Sequence, residues 1–121
     1  MSQAICGVLY NSNHIIHRSE MSSPENPTRL LKIMNFFQGR LKLFDRPDCR
    51  LITEYHPATD EDLLRVHDIG YVNFITNYCQ KGGGFLGDST YIAPNTFKAA
   101  ASSAGAVMEA NRLVAAGELK T

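Results

Sequence analysis

The alternation of apolar and polar segments along the chain predicts two short strands among several helices. Residues 4–10, Ala-Ile-Cys-Gly-Val-Leu-Tyr, form an apolar run that polar residues 11–13 close. A second run, 51–55, ends before Pro57. Short apolar runs of this kind are typical of buried strands, in particular those of parallel sheets. The polar stretch 11–26 between the first strand and the first helix predicts a loop.

A long helix is predicted over residues 27–44. Asn26 is a favourable N-cap residue, and Pro27 suits the first helical position because it needs no amide hydrogen there. Apolar residues then recur at alternating spacings of four and three, which places them on one helical stripe. The stripe consists of Leu30, Met34, Phe37, Leu41 and Phe44. The Arg-Pro-Asp sequence at 46–48 ends this element.

Two further helices are predicted in the middle of the chain. Thr59 and the acidic residues 60–62 favour a helix start, since negative charge is stabilised at a helix N-terminus. This short helix ends near His67, and Asp68 is placed to cap the next one. Three consecutive glycines, 82–84, end that second helix and begin a flexible loop that extends to Pro94.

The last predicted element is a long helix that ends at Ala116. Asn95 or Thr96 caps its start, and Gly117 is the predicted C-terminal stop. Residues 99–106 are almost all small, which favours close packing of this helix against a sheet or another helix.

The order strand, helix, strand, helix, helix, helix predicts an α/β fold with few parallel strands and several flanking helices. Two strands do not form a sheet that is stable on its own, and the helices carry more apolar faces than two strands can cover. We therefore expect this chain to need further strands, from a downstream segment or from a second copy of itself.

Composition narrows the class of protein. The chain has 121 residues, enough for one domain or a piece of one, and its 44% hydrophobic and 20% charged residues are typical of globular proteins. Twelve basic and twelve acidic side chains balance, which argues against a nucleic-acid or membrane-surface partner. No apolar run approaches the roughly 20 residues of a membrane span, and no signal peptide is recognisable, so a cytoplasmic location is expected.

Local motifs for chemistry are weak. The three cysteines, Cys6, Cys49 and Cys79, lie far apart and are predicted to be reduced and mostly buried. His14 and His17 offer two metal ligands where zinc needs three or four. The glycine-rich segment after residue 81 lacks the Gly-Lys-Ser/Thr ending of a phosphate loop, and no Gly-x-Ser-x-Gly elbow occurs. No catalytic residue and no metal ligand is assigned.

Two residues are candidates for binding. Asp88 lies in the glycine-flanked loop ahead of Ser-Thr-Tyr, where an exposed carboxylate can accept hydrogen bonds from amide groups of a ligand. An ordinary turn aspartate is the alternative interpretation. Arg29 lies on the first turn of the first predicted helix, where an arginine commonly serves as a surface residue or a structural ion-pair partner.

An ordered set of short segments resembles the N-terminal part of the zinc-dependent histone deacetylase family, including its acetoin-utilisation and acetylpolyamine relatives. The segments are Pro-Glu-Asn-Pro-Thr-Arg-Leu (24–30), Tyr-His-Pro-Ala (55–58), Val-His-Asp (66–68), Tyr-Val (71–72), Gly-Asp-Ser-Thr-Tyr (87–91) and Ala-Gly-Ala (104–106). The resemblance implies the arginase-deacetylase α/β fold, with residues 1–121 as a single partial domain. One departure is Ser23, where family members commonly have histidine.

The resemblance also implies roles for both candidates. Asp88 matches the aspartate that holds the backbone of the acetylated substrate at the pocket rim, and Arg29 matches the arginine at the inner, acetate-releasing end. In the family, two aspartates and a histidine hold zinc, a histidine pair transfers protons and a tyrosine polarises the acetyl carbonyl. All of these residues follow the Gly-Glu-Leu matched by 117–119. The chain alone is therefore expected to be inactive and to hold no cofactor, with zinc in the complete enzyme.

Two other functions stay open on sequence grounds. A stand-alone, non-catalytic interaction module would keep the beginning of this fold and self-associate, whereas an enzyme fragment would need a missing C-terminal catalytic segment. A small metal-binding protein that uses His14 and His17 is the third possibility.

Overall fold

The strand pair is parallel, as the sequence predicts. The computed structural model describes residues 5–18, 23–87 and 90–121. Its strands are β1 (Cys6–Leu9), β2 (Cys49–Ile52), β3 (Gly84–Phe85) and β4 (Tyr91–Ile92), and its α-helices are α1 (Pro27–Asn35), α2 (Asp60–Leu64), α3 (Ile69–Gln80) and α4 (Thr96–Ala115). β1 pairs with β2 in a register that sets Cys6 opposite Cys49. The second predicted strand is confirmed with shifted bounds, because it spans Cys49–Ile52 rather than residues 51–55.

The first helix is shorter than predicted. α1 begins as expected, with the Asn26 side chain accepting a hydrogen bond from the Thr28 amide at 3.0 Å. It then widens into a π-type turn, Phe36–Arg40, and Lys42 adopts a left-handed conformation with φ 49° that ends the helical path. The prediction of one helix to residue 44 is therefore wrong. Met34 of the apolar stripe is buried, but Leu41, next to the break, is 49% exposed.

The predicted starts of the two middle helices are confirmed. Thr59 and Asp62 form a reciprocal capping box, in which the Thr59 hydroxyl accepts from the Asp62 amide at 3.2 Å and the Asp62 carboxylate accepts from the Thr59 amide at 2.9 Å. The Asp68 carboxylate caps α3 by accepting from the Gly70 amide at 2.9 Å. These bonds satisfy amide groups that lack partners within the helix.

The loop predicted between the glycines and Pro94 contains a small hairpin. β3 and β4 pair antiparallel, and the Leu86 amide donates to the Thr90 carbonyl at 2.9 Å. Gly83 makes this arrangement possible: its φ is 78°, and a Cβ there would lie 1.9 Å from the Ile92 carbonyl oxygen. The prediction of a flexible loop over this whole stretch is therefore corrected, because part of it forms a hairpin.

Close packing of α4 is confirmed. The buried small residues of this helix include Ala99, Ala101, Ser102, Gly105 and Ala106. A Cβ on Gly105 would lie 2.1 Å from the His56 carbonyl oxygen, so the helix backbone lies directly against the segment that follows β2. The Ala58 amide donates to the Ala101 carbonyl at 2.8 Å across this contact. Small side chains are therefore required on this helix face.

The C-terminal residues lie along the second edge of β1. α4 ends in a Schellman motif at Gly117, whose φ is 76°. The chain then turns so that the Lys120 and Thr121 amides donate to the Ile5 carbonyl, at 2.9 and 3.1 Å, and the Gly7 amide donates to the Thr121 carbonyl at 2.9 Å. β1 is thus hydrogen-bonded to β2 on one edge and to Thr121 on the other.

Candidate functional site

Arg29 lies at the surface of the described residues. Its guanidinium forms an ion pair with Glu25 at 3.3 Å, and the two side chains are 57% and 78% exposed. The turn before it is organised by Ser23: the Ser23 hydroxyl accepts from the Glu25 amide at 3.1 Å, and the Asn26 side chain donates to the Ser23 carbonyl at 2.6 Å. Ser23 therefore stabilises the turn that precedes Arg29.

Asp88 lies outside the described residues, so its role at the substrate rim stays a prediction. The structure describes the loop on both sides of it. The hydrogen bond between Leu86 and Thr90 holds the two ends of the loop together, and the Tyr78 hydroxyl donates to the Phe85 carbonyl at 2.9 Å. This loop is therefore fixed at its base by β3, β4 and α3.

An apolar cavity of about 430 Å³ lies beside this loop, between α3 and α4. Its lining includes Leu63, Tyr71, Val72, Leu86, Thr90 and Phe97. His17 lines it too, with its Nδ1 at 2.6 Å from the Thr96 hydroxyl, which also accepts from the Ala93 amide at 2.7 Å. Arg29 is not among the lining residues. The structure thus brings His17 together with the base of the Asp88 loop, and it places Arg29 elsewhere.

A second polar cluster was not predicted from the sequence. The His14 imidazole bridges two hydroxyl groups, with Nε2 bonded to Tyr55 and Nδ1 at 3.2 Å from the Ser103 hydroxyl. Tyr10 stacks on the same ring at a centroid distance of 5.9 Å. Burial lowers the pKa of His14 and raises the pKa of Tyr55, so both groups are neutral near pH 7. The cluster connects the first loop, through His14, to the segment after β2 and to α4.

Residues 23–121 match the sequence profile of the histone deacetylase domain. The chain belongs to the histone deacetylase family. It is 37% identical over 98 residues to a histone deacetylase-like amidohydrolase of Pseudomonas aeruginosa, a match that covers 79% of this chain and 23% of that protein.

The fold matches as well. The chain superposes on the crystal structure of the HDA15 HD domain with a TM-score of 0.86 at 20% identity, over 99% of this chain and 34% of that one. The expected α/β fold and the expected family are confirmed. The chain spans about a quarter of the curated relative and a third of the solved domain.

Family membership raises the question of a zinc site. The histidines of the His-x-x-His sequence have different partners, His14 with Tyr55 and Ser103 and His17 with Thr96. Among residues 5–18, 23–87 and 90–121, no group of three or more His, Cys, Asp or Glu side chains is placed to hold a metal ion. The described residues therefore offer no ligand set for the zinc ion of the family, and no catalytic step is assigned to them.

The described helices were also compared with membrane spans. No helix among the described residues is both long enough and apolar enough to cross a membrane.

Proposed function

We propose that this chain is the N-terminal portion of a histone-deacetylase-like zinc amidohydrolase, inactive alone. The complete unit would remove acetyl groups from acetyl-lysine or from an acetylated polyamine. The zinc of that unit would polarise the acetyl carbonyl and activate water. Within it, Asp88 would hold the substrate backbone at the rim and Arg29 would lie on the acetate side. A cytoplasmic location stays a prediction from the sequence.

The observation that carries this proposal is the second edge of β1. In a parallel ladder, alternate residues of a strand bond to opposite neighbours. Cys6 and Val8 face β2, whereas Ile5 and Gly7 already bond to Lys120 and Thr121. Hydrogen bonds on both edges of β1 support an inner position for this strand in a larger sheet, which would extend on the Thr121 side. The active site of a complete domain would be built by the strands added there.

Exposed apolar side chains support the same proposal. Ile69 is 60% exposed and Val107 is 62% exposed, on α3 and α4 respectively, and Phe36 at the end of α1 is 46% exposed. In all, fifteen large apolar side chains of the described residues are exposed, and this number supports a unit whose surface further protein covers in part. A catalytic segment or another copy of the chain would bury them.

A chimera tests the enzyme proposal. The segment of the Pseudomonas aeruginosa relative that aligns with this chain is replaced by the residues of this chain, and deacetylation of an acetyl-lysine peptide and an acetylpolyamine is measured. We expect activity that chelation abolishes, a large loss in Asp88→Ala and Arg29→Ala, and no loss in Arg65→Ala, another exposed arginine with an acidic neighbour. A folded chimera whose Asp88→Ala variant keeps full activity and substrate affinity would show the rim role to be wrong.

A stand-alone, self-associating module is the second candidate, because the same exposed apolar side chains would serve a homodimer. Light scattering on the purified chain separates the two. A monodisperse dimer that melts cooperatively supports the module, and an aggregating or loosely packed species supports a fragment that lacks its partner. Deacetylase activity of the isolated chain would contradict both.

A further inference from the structure

Cys6 and Cys49 form a pair of thiols at the N-terminal ends of β1 and β2. They are direct partners in the parallel register of β1 and β2, so both side chains point to the same face of the sheet. Neighbouring strands lie about 4.8 Å apart, which is within the roughly 4.4–6.8 Å range of Cα separations that disulfides span. Both cysteines are free in the described structure.

The two sulfur atoms are also close to each other. The Cys49 thiol is buried, and the Cys6 thiol is near enough to influence its pKa; the Cys6 Sγ itself lies 3.9 Å from the Gly7 carbonyl oxygen. Burial first, and then the neighbouring sulfur, raise the pKa of Cys49. Cys6 is only half-buried and is therefore the thiol that a small oxidant reaches first.

We propose that Cys6 and Cys49 are an oxidative modification site that closes reversibly to a cross-strand disulfide. With hydrogen peroxide as the oxidant, the Cys6 sulfur attacks one peroxide oxygen and becomes a sulfenic acid, releasing one water. The Cys49 sulfur then attacks the Cys6 sulfur and displaces the second water. Two thiols lose two electrons and two hydrogen atoms in total, and hydrogen peroxide is reduced to two waters.

The disulfide would act on the sheet itself. Ile5 and Gly7, on either side of Cys6, make the hydrogen bonds to Lys120 and Thr121. A covalent link from Cys6 to Cys49 would therefore fix β2 against the strand on which the other edge of the sheet is assembled. This inference does not depend on the proposed enzymatic function.

Peptide mapping of the full chain tests the proposal. Trypsin separates the three cysteines, because Cys6 falls in 1–18, Cys49 in 43–50 and Cys79 in 66–81. After peroxide treatment and thiol blocking under denaturing conditions, we expect 1–18 linked to 43–50, a fall in free thiols from three to one, and full reversal by dithiothreitol.

Cys79 is the matched control, since it is a buried cysteine on α3 to which the proposal gives no disulfide partner. Cys79→Ser should still form the link, and Cys6→Ser should not. The proposal is overturned by a link to residues 66–81, by disulfide-joined dimers, or by sulfinic acid on Cys6 with residues 43–50 still reduced. The map of the unmodified chain decides the question even if a variant fails to fold.

Discussion

Replacing Gly105 by alanine would place a methyl group where α4 meets the segment that follows β2. The new Cβ would lie 2.1 Å from the His56 carbonyl oxygen, 2.8 Å from the Pro57 Cα and 2.9 Å from the Ala58 amide nitrogen. All three are backbone atoms, so no side chain can rotate to make room. The helix and the segment would have to separate.

The expected loss of stability follows from three terms. Forcing additional atoms into a packed contact costs about 1–3 kcal/mol. The separation would also weaken the hydrogen bond between the Ala58 amide and the Ala101 carbonyl, which contributes about 1 kcal/mol. Alanine recovers about 1 kcal/mol because it favours the helix more than glycine does. The sum is a destabilisation of about 1–3 kcal/mol, or a fall in Tm of roughly 4–12 °C.

Urea unfolding followed by far-UV circular dichroism measures this loss. Gly39→Ala is the matched control, because nothing lies within 4 Å of a Cβ at that position in the turn after α1. We expect the control to be unchanged or slightly more stable. If Gly105→Ala unfolds at the same urea concentration as Gly39→Ala, the close contact between α4 and residues 56–58 is wrong.

Three further predictions concern other contacts. Burial lowers the pKa of His14, so folding favours its neutral form. Below about pH 6.5 the unfolded chain takes up a proton at His14, whereas the folded chain does so only at its lower pKa. The contribution of His14 to the free energy of unfolding is therefore present above about pH 6.5 and is lost as the pH falls through the folded pKa. The urea midpoint of unfolding should fall on acidification, and it should fall less in His14→Phe. An equal pH dependence of the midpoint in both proteins would refute the role of His14. Thr59→Ala removes the capping bond to Asp62 and should cost about 1 kcal/mol in urea unfolding, whereas an unchanged midpoint would contradict the capping box. Arg29→Ala should change stability by less than about 1 kcal/mol, because its ion pair with Glu25 is largely exposed. A larger loss would mean that this side chain is structural.

Local sequence signals predicted the helix starts in this fold better than the other element boundaries, although the Asn95 side chain makes no capping hydrogen bond at α4. The helix starts at Pro27, Asp60 and Ile69 follow from side chains within three residues, and the structure confirms each of those bonds. The end of the first helix was predicted wrongly, because periodicity continued past the point where Lys42 turns left-handed. An apolar period shows which side chains share a face, but it does not show where the backbone leaves the helix.

The contacts between residues far apart in the sequence were not predicted. The small residues of α4 predicted close packing, but nothing in them identified His56 as the neighbour of Gly105. The cluster of His14, Tyr55 and Ser103 joins residues that are far apart along the chain, and no spacing pattern relates them. Both features come from tertiary contacts, which a single sequence encodes without revealing which residues meet.

The two strand segments correctly predicted that β1 pairs with β2. They did not predict on which side of this pair further strands would be added. The composition of two strand segments does not tell which strand is inner. The hydrogen bonds of Ile5 and Gly7 to the C-terminal residues decide it, because they occupy the edge of β1 that β2 leaves open. Strands added to this unit are therefore expected next to β1, beyond Thr121, rather than on the outer edge of β2. Leu9→Pro, which removes an amide on the Thr121 side, should accordingly lower the deacetylase activity of the chimera more than Leu51→Pro, which removes an amide on the outer edge of β2.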